Sequence, residues 1–94
     1  MSAESVVHDP AAGRFELRLD GHRGEALYQL IDGVMWLTHT EVPWPLRGRG
    51  LAATLVRAAL DHARAQGLKV QPACSYVRAY MRRHPETLDL LAAT

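Results

Sequence analysis

Asp32-Gly33 constrains the fold more than any other pair of residues in the chain, because it separates two apolar-rich runs by just two positions. A two-residue hairpin turn wants positive φ at both central positions, which Asp tolerates and Gly prefers. The flanking runs therefore fold back on each other as antiparallel strands. Glu25 to Ile31 is the outgoing strand, with Ala26, Tyr28 and Leu30 on one face. Val34 to Val42 is the return strand, and its apolar residues on both faces predict a central place in the sheet. Upstream, Arg14 to Asp20 alternates strictly, with Phe15, Leu17 and Leu19 opposed to Glu16 and Arg18. That period of two is a half-buried strand. Asp20-Gly21-His22-Arg23-Gly24 reads as the turn between these strands, and residues 1–12 as a loose lead-in.

Pro43 and Pro45 end the long strand, since neither can donate to a ladder. A short basic loop, Leu46 to Gly50, leads into a helix from Leu51 to Gln66. There Leu51, Leu55, Val56, Ala59, Leu60 and Ala63 form one apolar stripe opposite Arg57, Asp61 and Arg64. Gly67 is placed to cap this helix. Leu68 to Pro72 is a short strand reached through a helix, hence parallel to its partner. A second helix runs from Cys74 or Ser75 to Arg83, where Pro85 stops it, and residues 86–92 add a last helical turn. The order is three antiparallel strands, helix, strand, helix: an α/β fold of the α+β type, with two main helices packed on a mostly antiparallel sheet.

At 94 residues the chain is one domain, 1–94. Its 48% hydrophobic and 22% charged content is that of a globular fold. One cysteine, Cys74, excludes a disulfide framework and a multi-cysteine zinc site. The five histidines show no metal-ligand spacing on one element, so no metal is expected. A net charge of +1 argues against a nucleic-acid binder. No apolar run approaches the ~20 residues of a membrane span. With no export signal and a free thiol, a cytoplasmic setting is expected.

The segment with chemical content is Pro43-Trp44-Pro45-Leu46-Arg47-Gly48-Arg49-Gly50 at the start of the first helix. A glycine-bearing loop entering a helix exposes backbone N–H groups that have no intrahelical partner. The helix dipole adds partial positive charge there, so the site suits a pyrophosphate. Gly48 and Gly50 permit close approach, and Arg47 and Arg49 can supply bidentate hydrogen bonds. Gly48-Arg49-Gly50-Leu51-Ala52-Ala53 formally satisfies the dinucleotide pattern. That pattern, however, requires a strand directly before it and an acidic residue about 20 positions on. Two prolines intervene, and positions 62–85 contain no Asp or Glu. The triphosphate loop fails for want of Gly-Lys-Ser/Thr.

Arg47-x-x-Gly50-x-Ala52 resembles the Arg/Gln-x-x-Gly-x-Gly/Ala signature of GNAT-type N-acetyltransferases. His39-Thr40-Glu41-Val42-Pro43 before it and Leu51-Ala52-x-x-Leu55 after it are similar too. Cys74-Ser75-Tyr76-Val77, with Tyr80 and His84-Pro85, resembles the small single-domain, YjdJ-type branch. The resemblance spans about Phe15 to Pro85 and implies a minimal GNAT fold. It also implies binding of acetyl-coenzyme A (acetyl-CoA), with the pyrophosphate on residues 47–52 and Thr40, Val42 and Tyr76 along the rest of the cofactor. The strands and helices that build the acceptor pocket in full-size members have no counterpart here. The implied activity is acetyl transfer to a primary amine, on a small molecule or on a protein lysine or N-terminus. The alternative is a non-catalytic module that binds coenzyme A or an acyl derivative.

Three residues carry the catalytic expectations. Cys74 reads either as a small buried hydrophobe or as a nucleophile activated by a helix N-terminus. The resemblance implies a tyrosine on the second helix that protonates the departing thiolate. Tyr80 suits that role slightly better than Tyr76. Glu41, on one strand face with His39, is either an exposed carboxylate or the group that deprotonates the amine. Trp44 is a lid over the cofactor or an exposed turn residue. Arg78, Arg82 and Arg83 form a solvated helix face or hold the adenosine 3′-phosphate. A monomer or weak homodimer is expected.

Overall fold

In the computed structural model, which describes residues 6–92, Asp32 and Gly33 adopt φ of 50° and 78° and close the predicted turn. Asp20 and Gly21 repeat it, at 53° and 78°. The second turn is thus two residues long rather than five. His22-Arg23-Gly24 belongs to the following strand, because Asp-Gly alone completes the reversal.

The five strands are β1 (Val7–Asp9), β2 (Arg14–Leu19), β3 (His22–Ile31), β4 (Val34–Glu41) and β5 (Lys69–Pro72), in one sheet ordered β1-β2-β3-β4-β5. The first four pair antiparallel, and β5 runs parallel to β4 as expected of a strand reached through a helix. Helix α1 covers Leu51–Ala65 and α2 covers Ser75–Arg83. Single 3-10 segments at Trp44–Leu46 and Pro85–Leu90 precede α1 and follow α2.

The lead-in is not loose throughout. Val7–Asp9 pairs with β2 in the register His8↔Phe15. His8 stacks on the Phe15 ring at 4.2 Å between centroids and meets the Tyr28 hydroxyl at 2.5 Å. Three residues are too few to show alternation, so side-chain contacts rather than periodicity mark this strand.

Both helices pack on one face of the sheet. Phe15, Leu17, Ala26, Met35, Leu37 and Val70 are buried beneath the full apolar stripe of α1 and beneath Val77 and Met81 of α2. Each large side chain so buried contributes about 1.5–3 kcal/mol of transfer free energy. Among the described residues, the outer face carries no helix. Consequently β4 is interior within the sheet yet buried on one side only: Met35 and Leu37 are inside, while Trp36 stays 38% exposed. Among the described residues, no helix is long and apolar enough to cross a membrane.

Candidate functional site

Successive antiparallel strands reverse direction. The Asp20-Gly21 turn therefore lies at the same sheet end as the exit from β4, and parallel β5 delivers its own end there as well. The β4–β5 ladder stops at Leu37↔Pro72. β4 continues to Glu41, while the chain after β5 turns away, its Cys74 N–H donating to the Leu37 carbonyl at 3.0 Å. From Thr38 to Glu41 the edge of β4 has no β5 partner, and a wedge opens between the two strands.

Beside that wedge lies the basic loop. Leu46, 1% exposed, anchors it in the core. Gly48 and Gly50 follow at φ of 86° and 75°, a left-handed conformation that L side chains rarely adopt. A Cβ on either would meet nothing within 4 Å, so their surroundings are open as well as permissive. Gly50 caps α1 with no side-chain hydrogen bond, and the first turn holds no acidic residue. The first intrahelical bond is Thr54 N–H to the Gly50 carbonyl at 3.1 Å. The N–H groups of Leu51, Ala52 and Ala53 precede it and have no intrahelical acceptor. They open on a cleft lined by Val42, Leu46, Arg47, Gly48, Gly50, Leu51, Ala52, Ala53 and Tyr76. Arg47 is oriented by its Nε, which donates to the Val42 carbonyl at 3.1 Å. Residues of this kind fit a pyrophosphate: free N–H donors, a guanidinium and no competing carboxylate on the cleft wall.

Seven of the residues singled out from sequence thus share one cleft: Val42, Arg47, Gly48, Gly50, Leu51, Ala52 and Tyr76. Arg49 is outside it, with Nη1 on Asp20 Oδ2 at 3.0 Å. Tyr80 is also outside, one helical turn beyond Tyr76. It is 4% exposed, stacked on His84 at 4.1 Å, with the Arg57 guanidinium 5.7 Å from its ring centroid. Of the two tyrosines, the cleft takes Tyr76. Trp44 is 79% exposed and is not part of the cleft wall. Arg78 donates to the Pro72 and Ala73 carbonyls, and with Arg82 it borders a separate apolar hollow against Met81, Leu88 and Leu91. That hollow shares no lining residue with the cleft.

Cys74 and Thr40 face each other across the wedge, Sγ to Oγ1 at 3.8 Å. Burial pushes the thiol pKa up, but the Val77 N–H, the Thr40 hydroxyl and the Tyr76 and Thr40 backbones together hold it below its ordinary value. Cys74 is the N-cap residue of α2, without a side-chain cap hydrogen bond, and a helix N-terminus favours a thiolate. Glu41 lies on the opposite side of β4 from Thr40. It is paired with His39 at 3.2 Å, both side chains half-exposed on the open face. β4 thus separates a side facing the wedge from a side open to solvent.

Leu46 and Ala53 line the cleft without having been singled out from sequence. Leu46 reads as loop, though its apolar side chain between prolines and arginines signals an anchor. Ala53 is the third helical residue after Gly50, and that spacing alone marks its N–H as free. Asp20 carried no sequence signal toward the loop, because 29 residues separate it from Arg49.

A family model described as GCN5-related N-acetyl-transferase matches residues 14–90. The protein NATD1 of Mus musculus is 39% identical over 83 residues, covering 85% of this chain and 76% of the mouse protein. NATD1 of Xenopus tropicalis is 37% identical over 87 residues, covering 89% of this chain and 80% of the frog protein. The solution structure of a GCN5-like protein from Staphylococcus aureus superposes with a TM-score of 0.75 at 24% identity, over 100% of this chain and 93% of that one. The structural likeness concerns the fold.

Proposed function

The chain belongs to the GCN5-related N-acetyltransferase family, and from that membership we propose that it binds acetyl-CoA at the loop cleft and transfers the acetyl group to a primary amine. The observation that carries the reading is the uncapped start of α1 behind two left-handed glycines, beside Arg47. A helix end left without a cap beside a guanidinium favours an anion.

Acetyl-CoA supplies an acetyl group on a thioester. The N–H groups of residues 51–53 and the Arg47 guanidinium hold its pyrophosphate. The free edge of β4 from Thr38 to Glu41 offers backbone groups to the pantetheine arm. Donors fixed there also stabilise negative charge developing on a carbonyl oxygen. Glu41 takes the proton from the attacking amine, supported by His39. Tyr76, on the cleft wall, is the tyrosine placed to protonate the departing thiolate. Cys74 is the alternative first acceptor of the acetyl group, since its thiol is shifted toward the thiolate.

A second reading, a non-catalytic acyl-coenzyme A module, is favoured by one observation: no helix covers the face that bears Glu41, so the described residues build no enclosed acceptor pocket there. Calorimetric titration with acetyl-CoA tests the shared premise. Micromolar binding that weakens about tenfold or more in Arg47→Ala, the loss of a charge-assisted contact, supports the cleft. An absence of binding to the wild type removes both readings. Release of free coenzyme A thiol with amine mixtures then separates transfer from binding alone.

A further inference from the structure

We propose that Asp20 competes with the bound anion for Arg49, so that a turn remote in sequence limits how tightly the loop holds a pyrophosphate. The inference rests on the pyrophosphate reading of the cleft. Arg47 and Arg49 flank Gly48, yet only Arg47 borders the cleft. Arg49 is held by Asp20 at 3.0 Å, and the pair is open to water, with side chains 48% and 60% exposed. A surface pair of this kind is weak, and a ligand with more negative charge displaces it. Arg49 also sits between two glycines at positive φ with open space around both, so its backbone can turn without a side-chain clash. The antiparallel course of β2 and β3 brings the Asp20-Gly21 turn to this end of the sheet, and the aspartate is the carboxylate that Arg49 meets. Asp20 acts through Arg49 and is therefore a positioning residue.

Three variants test this by titration with acetyl-CoA: Asp20→Asn, Arg49→Ala and the double variant. Asparagine tolerates the left-handed conformation of position 20, and Asp20→Gly serves as a second replacement if asparagine perturbs the turn. Asp20→Asn is expected to tighten binding about two- to fivefold, the equivalent of a surface ion pair, and to steepen its dependence on salt. In the Arg49→Ala background the same change is expected to have little effect. A purely structural turn residue would show no such coupling. Unchanged or weaker binding in Asp20→Asn overturns the proposal, as does an equal gain without Arg49. Failure of the wild type to bind overturns the pyrophosphate reading instead.

Discussion

The two ends of α1 are built by opposite rules. At its C-terminus, every available device is used. Gly67 turns at φ 70°, its N–H donating to the Arg64 carbonyl at 3.3 Å and that of Leu68 to the Ala63 carbonyl at 2.8 Å. This pair of bonds is a Schellman cap, which satisfies carbonyls the helix cannot satisfy itself. Arg64 then grips Asp89 through two bonds of 2.9 Å, and Lys69 donates to the Asp89 carbonyl. At the N-terminus none of this is present: a glycine cap, no side-chain acceptor, no acidic residue in the first turn. One helix in one small domain has one end closed by its own chain and the other left for something else. With glycine at the N-cap the missing side-chain cap costs only about a few tenths of a kcal/mol relative to a good cap, a cost offset when an anion binds.

Closing the open end should reverse the comparison, with the largest effect of any single change. Ala52→Asp places a carboxylate in the first turn of α1, on the cleft wall. The dipole should make the free protein more stable, by about 0.3–1 kcal/mol. The same carboxylate repels a pyrophosphate at short range, so acetyl-CoA binding should fall by about 100-fold or more. Thermal melting and calorimetry check the two signs separately. A variant that binds normally would show that the anion does not lie on this turn.

Opening the closed end should do the reverse, more mildly. Gly67→Ala forces a Cβ into a left-handed conformation. Stability should drop by about 1 kcal/mol, or roughly 4–8 °C in melting temperature. Acetyl-CoA affinity should be unchanged, because this end does not meet the cleft. A parallel loss of affinity would mean that both ends act as one unit.

The closed end was legible in the sequence and the open end was half so. Gly67 after an apolar stripe announces a C-cap, and the six residues of that stripe are the buried residues of α1. The open end was legible as Gly48-x-Gly50 entering a helix, because backbone freedom and helix polarity are local properties. What local pattern does not encode is the direction of each side chain. Arg47 and Arg49 both flank Gly48 in the sequence, and only the sheet places Asp20 beside Arg49. Tyr76 and Tyr80 share a face at helical spacing, and only the position of α2 against α1 decides which one the cleft receives. The β1 strand was hidden for another reason, since three residues held by stacking on Phe15 leave no periodic trace.

Acid should erode the closed end and so reveal the smallest of the differences. Hydrogen bonding to Arg64 holds the Asp89 carboxyl below its ordinary pKa, and hydrogen bonding to Arg57, nearer the middle of α1, does the same for Glu86. A carboxylate whose pKa is lowered on folding adds stability at neutral pH, where it is ionised in both states. As pH falls, the unfolded chain takes up these protons first, and the contribution disappears once the pH passes below the lowered folded values. The clamp should therefore be complete above about pH 5, a little over the ordinary carboxylate range, and fade below it. The pairs are exposed, so the effect is modest. Urea unfolding at pH 7 and pH 3 should show a midpoint gap between wild type and Asp89→Asn that narrows in acid. The absence of any gap at pH 7 would mean that Asp89 contributes through its backbone carbonyl and Lys69, which asparagine leaves intact, rather than through its charge.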